Sequence, residues 1–188
     1  MIRTILIPLF LLSSFLGYSQ NSWTINPKMG IQSLFLYDNP PNTSSNGKLG
    51  YEVDVLARYG QNFYGTTGLE WNQTRTSLSG TGTTGSVDIQ AITFPLILGY
   101  GLSDYSDLKP RIYGGTSWTI ITSINENFEG IEKNDFKKSI FGLRGGIGLD
   151  LIIFTFDLEY EHSVSSLLKD FNNTSYGRVK FTLGILLQ

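Results

Sequence analysis

Three carboxylates, Asp157, Glu159 and Glu161, occupy every second position of one short segment, and His162 follows directly. In an extended strand alternate residues lie ~6.6 Å apart on one face. Such a row of acids could carry out acid-base chemistry or bind a metal ion. The same row could instead be neutralised by buried cations, and we favour this structural interpretation because the chain supplies enough lysine and arginine for it.

His162 is the only histidine, so any histidine-dependent catalysis must use it. It is followed by Ser163, Ser165 and Ser166, and a surface histidine with a serine and a carboxylate is a known hydrolytic arrangement. However, adjacent residues of a strand point to opposite faces, which separates His162 from Ser163. We therefore expect no enzyme, and keep a lipid A-modifying activity based on His162 as the second alternative.

Two predicted strands in residues 141–162 position these side chains. Apolar residues take every second place from Ile152 to Tyr160, and the same period of two appears from Phe141 to Leu149. We predict a hairpin with a two-residue turn at residues 150–151. This turn would pair Leu149 with Ile152, Arg144 with Asp157 and Gly145 with Phe156.

The same alternation recurs along the chain and predicts an all-β fold. We expect eight strands, at about 23–37, 48–59, 63–78, 87–101, 111–124, 141–149, 152–162 and 176–187. The links at 38–47, 79–86, 125–135 and 164–175 are long, and those at 60–62, 102–110 and 150–151 are mostly shorter. Long loops at one end and short turns at the other are typical of an eight-stranded antiparallel up-and-down transmembrane β-barrel.

Charged residues on the polar faces of these strands are predicted to fill the barrel. Buried charges must be paired to avoid a desolvation cost of several kcal/mol each, and the two signs are balanced. The predicted lumen network consists of Lys28, Arg58, Arg111, Arg144, Arg178 and Lys180 with Glu52, Asp54, Glu70, Asp157, Glu159 and Glu161.

Aromatic residues at the ends of the apolar rows predict which face meets lipid. Membrane barrels carry aromatic girdles at both interfaces, whereas a soluble barrel would bury these rows without such a rim. At the loop ends we assign Tyr37, Tyr51, Trp71, Trp118, Phe141 and Tyr160 to the membrane interface, and at the turn ends Tyr59, Phe63 and Tyr100.

The N-terminus and the composition indicate export. Arg3 precedes an apolar run of about a dozen residues, too short for the roughly 20 of a spanning helix, so we predict a signal peptide at 1–19 and one barrel domain at 20–188. The chain has no cysteine, which excludes disulfides and thiolate sites. Its formal net charge of −2 gives no basic footprint for nucleic acid, and we expect neither a cofactor nor a metal.

Three segments of the chain carry short strand motifs: DIQAITFPLILGY at 88–100, PKMGI at 27–31 and GGIGLD at 145–150. They resemble, in turn, the "yleiPlllky" strand, the opening "GiKaG" strand and the later "GxG" strand of an outer-membrane β-barrel family that includes PorT-like proteins of Gram-negative bacteria. The resemblance implies an integral eight-stranded barrel with a role in protein secretion or surface display. It transfers no active-site residue.

These observations together predict an outer-membrane barrel of a Gram-negative bacterium with both termini in the periplasm. We expect a closed lumen and action through surface loops or a protein partner, in contact with membrane lipid and lipopolysaccharide. The first alternative is a narrow porin-like channel for small solutes.

Overall fold

The computed structural model describes residues 23–37, 44–80, 83–103, 107–126, 137–166 and 175–187. The predicted signal peptide and parts of the predicted loops lie outside these residues. The strands within them are β1 (Trp23–Leu36), β2 (Ser44–Gly47), β3 (Leu49–Gly60), β4 (Phe63–Gly80), β5 (Thr83–Gly101), β6 (Leu108–Glu126), β7 (Ser139–Leu151), β8 (Phe154–Ser163) and β9 (Tyr176–Ile185). Among the described residues, no helix is long and apolar enough to cross a membrane.

The strands form a closed antiparallel β-barrel with eight positions around its wall. The sheet runs β4, β3, β1, β9, β8, β7, β6, β5, and the β4–β5 pairing closes it. Both β2 and β3 pair with β4, so together they act as one barrel strand that is interrupted at Lys48. The predicted fold class, an all-β barrel of eight antiparallel strands, is confirmed.

The strands are tilted, as closure of a barrel requires. Paired residues can be followed from Trp23 to Tyr59 and onward through each neighbouring strand until Val179 on β9 pairs with Ser33 on β1. The path returns to β1 ten residues further along, 33 minus 23. This total offset is the shear of the barrel.

Alternate residues face opposite sides of the wall, as the period of two predicts. On β8, Thr155, Asp157, Glu159 and Glu161 are buried, whereas Phe154, Leu158 and Tyr160 are exposed. The outer surface is therefore apolar and the interior is largely polar. In a soluble protein the apolar residues would lie inside, whereas here they lie outside and are free to contact lipid.

The turn of the β7–β8 hairpin differs from the prediction. Leu151 pairs with Phe154, so the turn residues are Ile152 and Ile153, and Ile152 has a φ of 57°. The predicted pairs of Arg144 with Asp157 and Gly145 with Phe156 are wrong: Arg144 lies opposite Glu161 and Gly145 opposite Tyr160.

A tertiary contact explains this shift. Asp150 is buried on the inner face of β7, where its carboxylate binds Arg58 and Arg111, and so it cannot serve as a turn residue. The turn moves by two residues, an even number, so each side chain keeps its predicted face.

Several strands are longer than predicted on the loop side. β4 and β5 have 18 and 19 residues, against ten for each of β8 and β9. Strand structure therefore occupies most of the predicted 79–86 loop, and β2 lies within the predicted 38–47 loop. β6 begins at Leu108 and ends at Glu126, and a register shift in its pairing with β5 lies between Gln90 and Ala91.

Candidate functional site

All twelve residues of the predicted lumen network lie on the inner face of the barrel and are shielded from solvent. Eleven are among the buried polar residues, and the Lys28 side chain is 9% exposed. Their contacts form three clusters, which we call the turn-side, central and loop-side clusters. Each is held by side chains from several strands, so its geometry depends on closure of the whole wall.

The turn-side cluster contains two carboxylates and three cations. Asp150 binds Arg58 at 2.6 Å and Arg111 at 2.8 Å. Asp157 binds Arg111 at 2.8 Å and Lys28 at 2.5 Å. Hydrogen bonds from Arg111 to the Thr155 and Tyr64 hydroxyls complete the environment of this guanidinium.

A glycine makes room for this cluster. A Cβ atom at Gly148 would lie 2.4 Å from the Asp157 Oδ1 atom and 2.6 Å from the Arg111 Cζ atom. The absence of a side chain at this position therefore lets the Arg111–Asp157 pair lie directly against the β7 backbone.

The central cluster crosses the lumen at mid-height. Arg144 contacts Glu159 at 2.5 Å and Glu70 at 2.8 Å. The Lys180 ammonium lies 2.9 Å from Glu52, 3.0 Å from Glu70 and 3.7 Å from Glu159. The predicted contact of Arg144 with Asp157 is absent among these pairs, because Arg144 binds Glu159 and Glu70 instead.

The loop-side cluster is built on a carboxylate with no exposed surface. Glu161 accepts hydrogen bonds from Arg178 at 2.6 Å and from the Tyr176 hydroxyl at 2.9 Å. Arg178 also donates to the Asn72 side chain at 3.2 Å. These charge-assisted bonds link β8, β9 and β4 across the interior.

An apolar layer that the sequence analysis missed lies beyond the loop-side cluster. Leu34, Ile89, Ala91, Ile124 and Ile140 are buried there among Thr and Tyr side chains. Their inward direction could have been predicted from the alternation. Leu34 lies an even number of residues from Lys28 on β1, and Ile140 an even number from Arg144 on β7. Apolar side chains are thus concentrated at the loop side of the lumen, although Leu56 and Ile97 are also buried beside the charged clusters.

Two cavities that described residues line inside the barrel are small. The larger cavity, in the central and turn-side clusters, leaves about 30 Å³ for the centres of water molecules, and a second one in the apolar layer about 20 Å³. A single water needs roughly 10 to 15 Å³ by this measure. Each cavity thus has room for one to three waters.

The geometry around His162 does not assemble a catalytic triad with the two nearest candidate serines. Its ring is exposed and lies 5.8 Å from the ring of Tyr37. Ser163 is buried on the opposite face, where its hydroxyl accepts a hydrogen bond from the Tyr176 N–H, and the Ser165 hydroxyl accepts one from the Phe141 N–H. Within the described residues, no group of three or more His, Cys, Asp or Glu side chains could hold a metal ion.

The predicted girdle residues are all exposed on the outer face. At the loop end the Tyr37 and Tyr160 hydroxyls are 3.1 Å apart, and the Trp118 ring stacks on Phe141 with 6.2 Å between centroids. Their assignment to the two membrane interfaces stays a prediction. The full set is Tyr37, Tyr51, Tyr59, Phe63, Trp71, Tyr100, Trp118, Phe141 and Tyr160.

A closed barrel with an apolar exterior and a charged interior agrees with the family comparison. A model of the outer membrane protein beta-barrel domain matches residues 13–169. The chain belongs to this family. It is therefore an outer-membrane β-barrel, and the predicted localisation in the outer membrane is confirmed at this level.

Solved structures share the fold of this outer-membrane barrel at low sequence identity. OprG from Pseudomonas aeruginosa is 12% identical with a TM-score of 0.56, over 89% of this chain and 97% of OprG. Neisserial surface protein A is 13% identical with a TM-score of 0.51, over 89% of this chain and 99% of that protein. No curated protein matches the chain in sequence.

Proposed function

We propose that this outer-membrane barrel is closed to solutes, does no chemistry and acts through its surface loops or a protein partner. The observation that carries the proposal is the filled lumen. Arg144 and Lys180 each bind carboxylates from more than one strand, and the larger cavity leaves about 30 Å³. Eight strands enclose an interior that side chains can fill, whereas aqueous channels come with 16 or more strands.

The unequal strand lengths support action at the loop side. β4 and β5 extend beyond the Trp71 level of the predicted girdle, and β2 adds a third strand to this extension through its pairing with residues 76–79 of β4. A partly exposed ion pair, Arg75 with Asp88 at 2.6 Å, lies at the base of the extension. The extension of β2, β4 and β5 offers a protein partner a preformed surface. Lipopolysaccharide is the lipid that we expect around it.

The resemblance to PorT-like proteins supports a role in protein secretion or surface display. In this proposal both termini lie in the periplasm, since β1 begins and β9 ends at the side of the barrel where the short turns are. A protein partner would then be reached through the loops rather than through the lumen.

Conductance of the purified barrel in planar lipid bilayers tests the closed state. We expect no steady conductance, and no entry of small sugars into liposomes that contain the protein. Reproducible channels in the intact protein would overturn the closed-lumen proposal and favour the alternative of a narrow channel for small solutes.

A further inference from the structure

The lumen contains one more carboxylate than it has cations among the described residues. The acids are Glu52, Asp54, Glu70, Asp150, Asp157, Glu159 and Glu161, and the bases are Lys28, Arg58, Arg111, Arg144, Arg178 and Lys180. Seven minus six leaves one negative charge. The excess exists because Asp150, which the sequence analysis placed in a turn, joins the interior.

Asp54 is the carboxylate without a cation. It is 2% exposed, and in the part of the chain that the structure describes it forms no ion pair. Its Oδ1 atom is buried and has no hydrogen-bond partner. In the sheet it lies opposite Lys28 on β1 and Glu70 on β4, but the Lys28 ammonium binds Asp157 instead.

The five cations that line the cavity with Asp54 all bind other carboxylates. Arg144 and Lys180 bind Glu52, Glu70 and Glu159 in the central cluster. Lys28, Arg58 and Arg111 bind Asp150 and Asp157 in the turn-side cluster. The titratable and charged groups that line the cavity with Asp54 are Lys28, Glu52, Arg58, Tyr64, Glu70, Arg111, Tyr113, Arg144, Asp157, Glu159 and Lys180.

An isolated buried charge is so costly that the group is neutralised instead. The neutralising species here is either a proton or a small cation. A cation needs several oxygen ligands, whereas the cavity that Asp54 lines also contains Arg144 and Arg58, whose buried Nη1 and Nε atoms have no hydrogen-bond partner. Among the described residues, no group of three or more His, Cys, Asp or Glu side chains is arranged to hold a metal ion.

We propose that Asp54 is a proton-binding site, and that its carboxyl stays protonated in the folded barrel at neutral pH. One proton brings the lumen to six negative and six positive charges. It also makes Asp54 a hydrogen-bond donor beside Glu70, its neighbour across the β3–β4 pair. The unfolded chain ionises such a carboxyl above about pH 3.9, so the native state holds one extra proton and loses stability as the pH rises.

Infrared spectroscopy of the folded barrel tests the protonation directly. At neutral pH we expect the carbonyl band of a protonated carboxylic acid, and we expect it to shift when the protein carries aspartate with a ¹³C-labelled side-chain carboxyl. The absence of a protonated band in the wild type, or a band that glutamate labelling shifts instead, would overturn the proposal.

Two matched variants test the location. Asp54→Asn should fold, lose the band and lose the fall in stability from neutral to alkaline pH. Asp157→Asn, which removes a carboxylate held by Lys28 and Arg111, should keep the band and lower stability. Should Asp54→Asn fail to fold, the labelled wild type still shows whether a lumen aspartate is protonated, and the two others, Asp150 and Asp157, are each held by two cations. A stability of the wild type that depends on sodium at constant ionic strength would identify a bound cation and contradict the proton.

Discussion

Arg144 on β7 donates hydrogen bonds to Glu159 on the neighbouring strand β8 and, 2.8 Å away, to Glu70 on β4. β5 and β6 lie between β7 and β4 in the wall, so the second bond crosses the lumen rather than following the sheet. One guanidinium thus joins two distant parts of the barrel. Its two partners also contact Lys180, which extends the connection to β9 and β3.

Removal of this guanidinium should weaken and open the barrel. Arg144→Ala leaves Glu70 and Glu159 partly uncompensated, and breaking a buried pair costs about 3 to 5 kcal/mol. We expect the free energy of unfolding in detergent micelles, measured by urea titration, to fall by this amount. We also expect conductance to appear in planar bilayers, where the wild type shows none.

An exposed arginine provides the control. Arg75 binds Asp88 at 2.6 Å, but its side chain is 51% exposed, and because water and salt screen such surface pairs they contribute little to stability. Arg75→Ala should leave unfolding and conductance nearly unchanged. Equal losses in the two variants would contradict the bridging role of Arg144.

A second prediction concerns the glycine under the turn-side cluster. In Gly148→Ala the new methyl group collides with the Arg111–Asp157 pair, and overpacking of this kind costs about 1 to 3 kcal/mol. Gly65→Ala is the matched control, because a Cβ atom there meets nothing within 4 Å. Urea titration should show a loss for the first variant only. A loss of similar size at Gly65 would mean that glycine matters here for flexibility rather than for space.

The β7–β8 turn predicts a stabilising substitution. Ile152 has a φ of 57°, a left-handed conformation that costs most non-glycine residues roughly 1 to 2 kcal/mol, whereas asparagine tolerates it. Ile152 is 71% exposed, so little packing is lost on replacement. Ile152→Asn should raise the free energy of unfolding by about 1 kcal/mol. Ile153→Asn, at a residue without positive φ, should give no such gain.

The last prediction concerns catalysis at His162. The Ser163 and Ser165 hydroxyls accept backbone hydrogen bonds, and Ser163 lies on the opposite face of the wall. Expression of the wild type and of His162→Ala in a host of defined lipid A should therefore give identical lipid A mass spectra. A change with the wild type that His162→Ala abolishes would establish the enzymatic alternative.

The facing of each residue could be predicted from the sequence, because the period of two is a local property. The strand alternation placed Asp157 and Glu159 inside and Phe154 and Leu158 outside, and the two-residue displacement of the turn did not alter this. Strand ends on the loop side were harder to predict. A polar segment such as the start of β5 has no apolar alternation to mark it as a strand. It still forms backbone hydrogen bonds with the end of β4 once that strand is in place.

The partners of the buried charges could not be predicted, because they are set by reach across the lumen and not by spacing along the chain. Asp150 shows this most clearly. In the sequence, Asp150 stands between two apolar rows, where a turn is expected. It lies inside the barrel because its carboxylate binds Arg58 from β3 and Arg111 from β6. The inward apolar residues Leu34 and Ile140 carried the right parity, but they lie beyond the charged rows that were used to define the lumen.

The shear of ten couples the registers of all the strand pairings in the wall. The β1–β9 pairing joins the first and the last strand of the chain. Its register is fixed by the sum of the offsets in the other seven strand pairings of the wall. A hairpin whose strands paired two residues out of register would therefore place β9 beside β1 in the wrong register. We therefore expect closure to select correctly paired hairpins, since only these let the first and last strands pair in register.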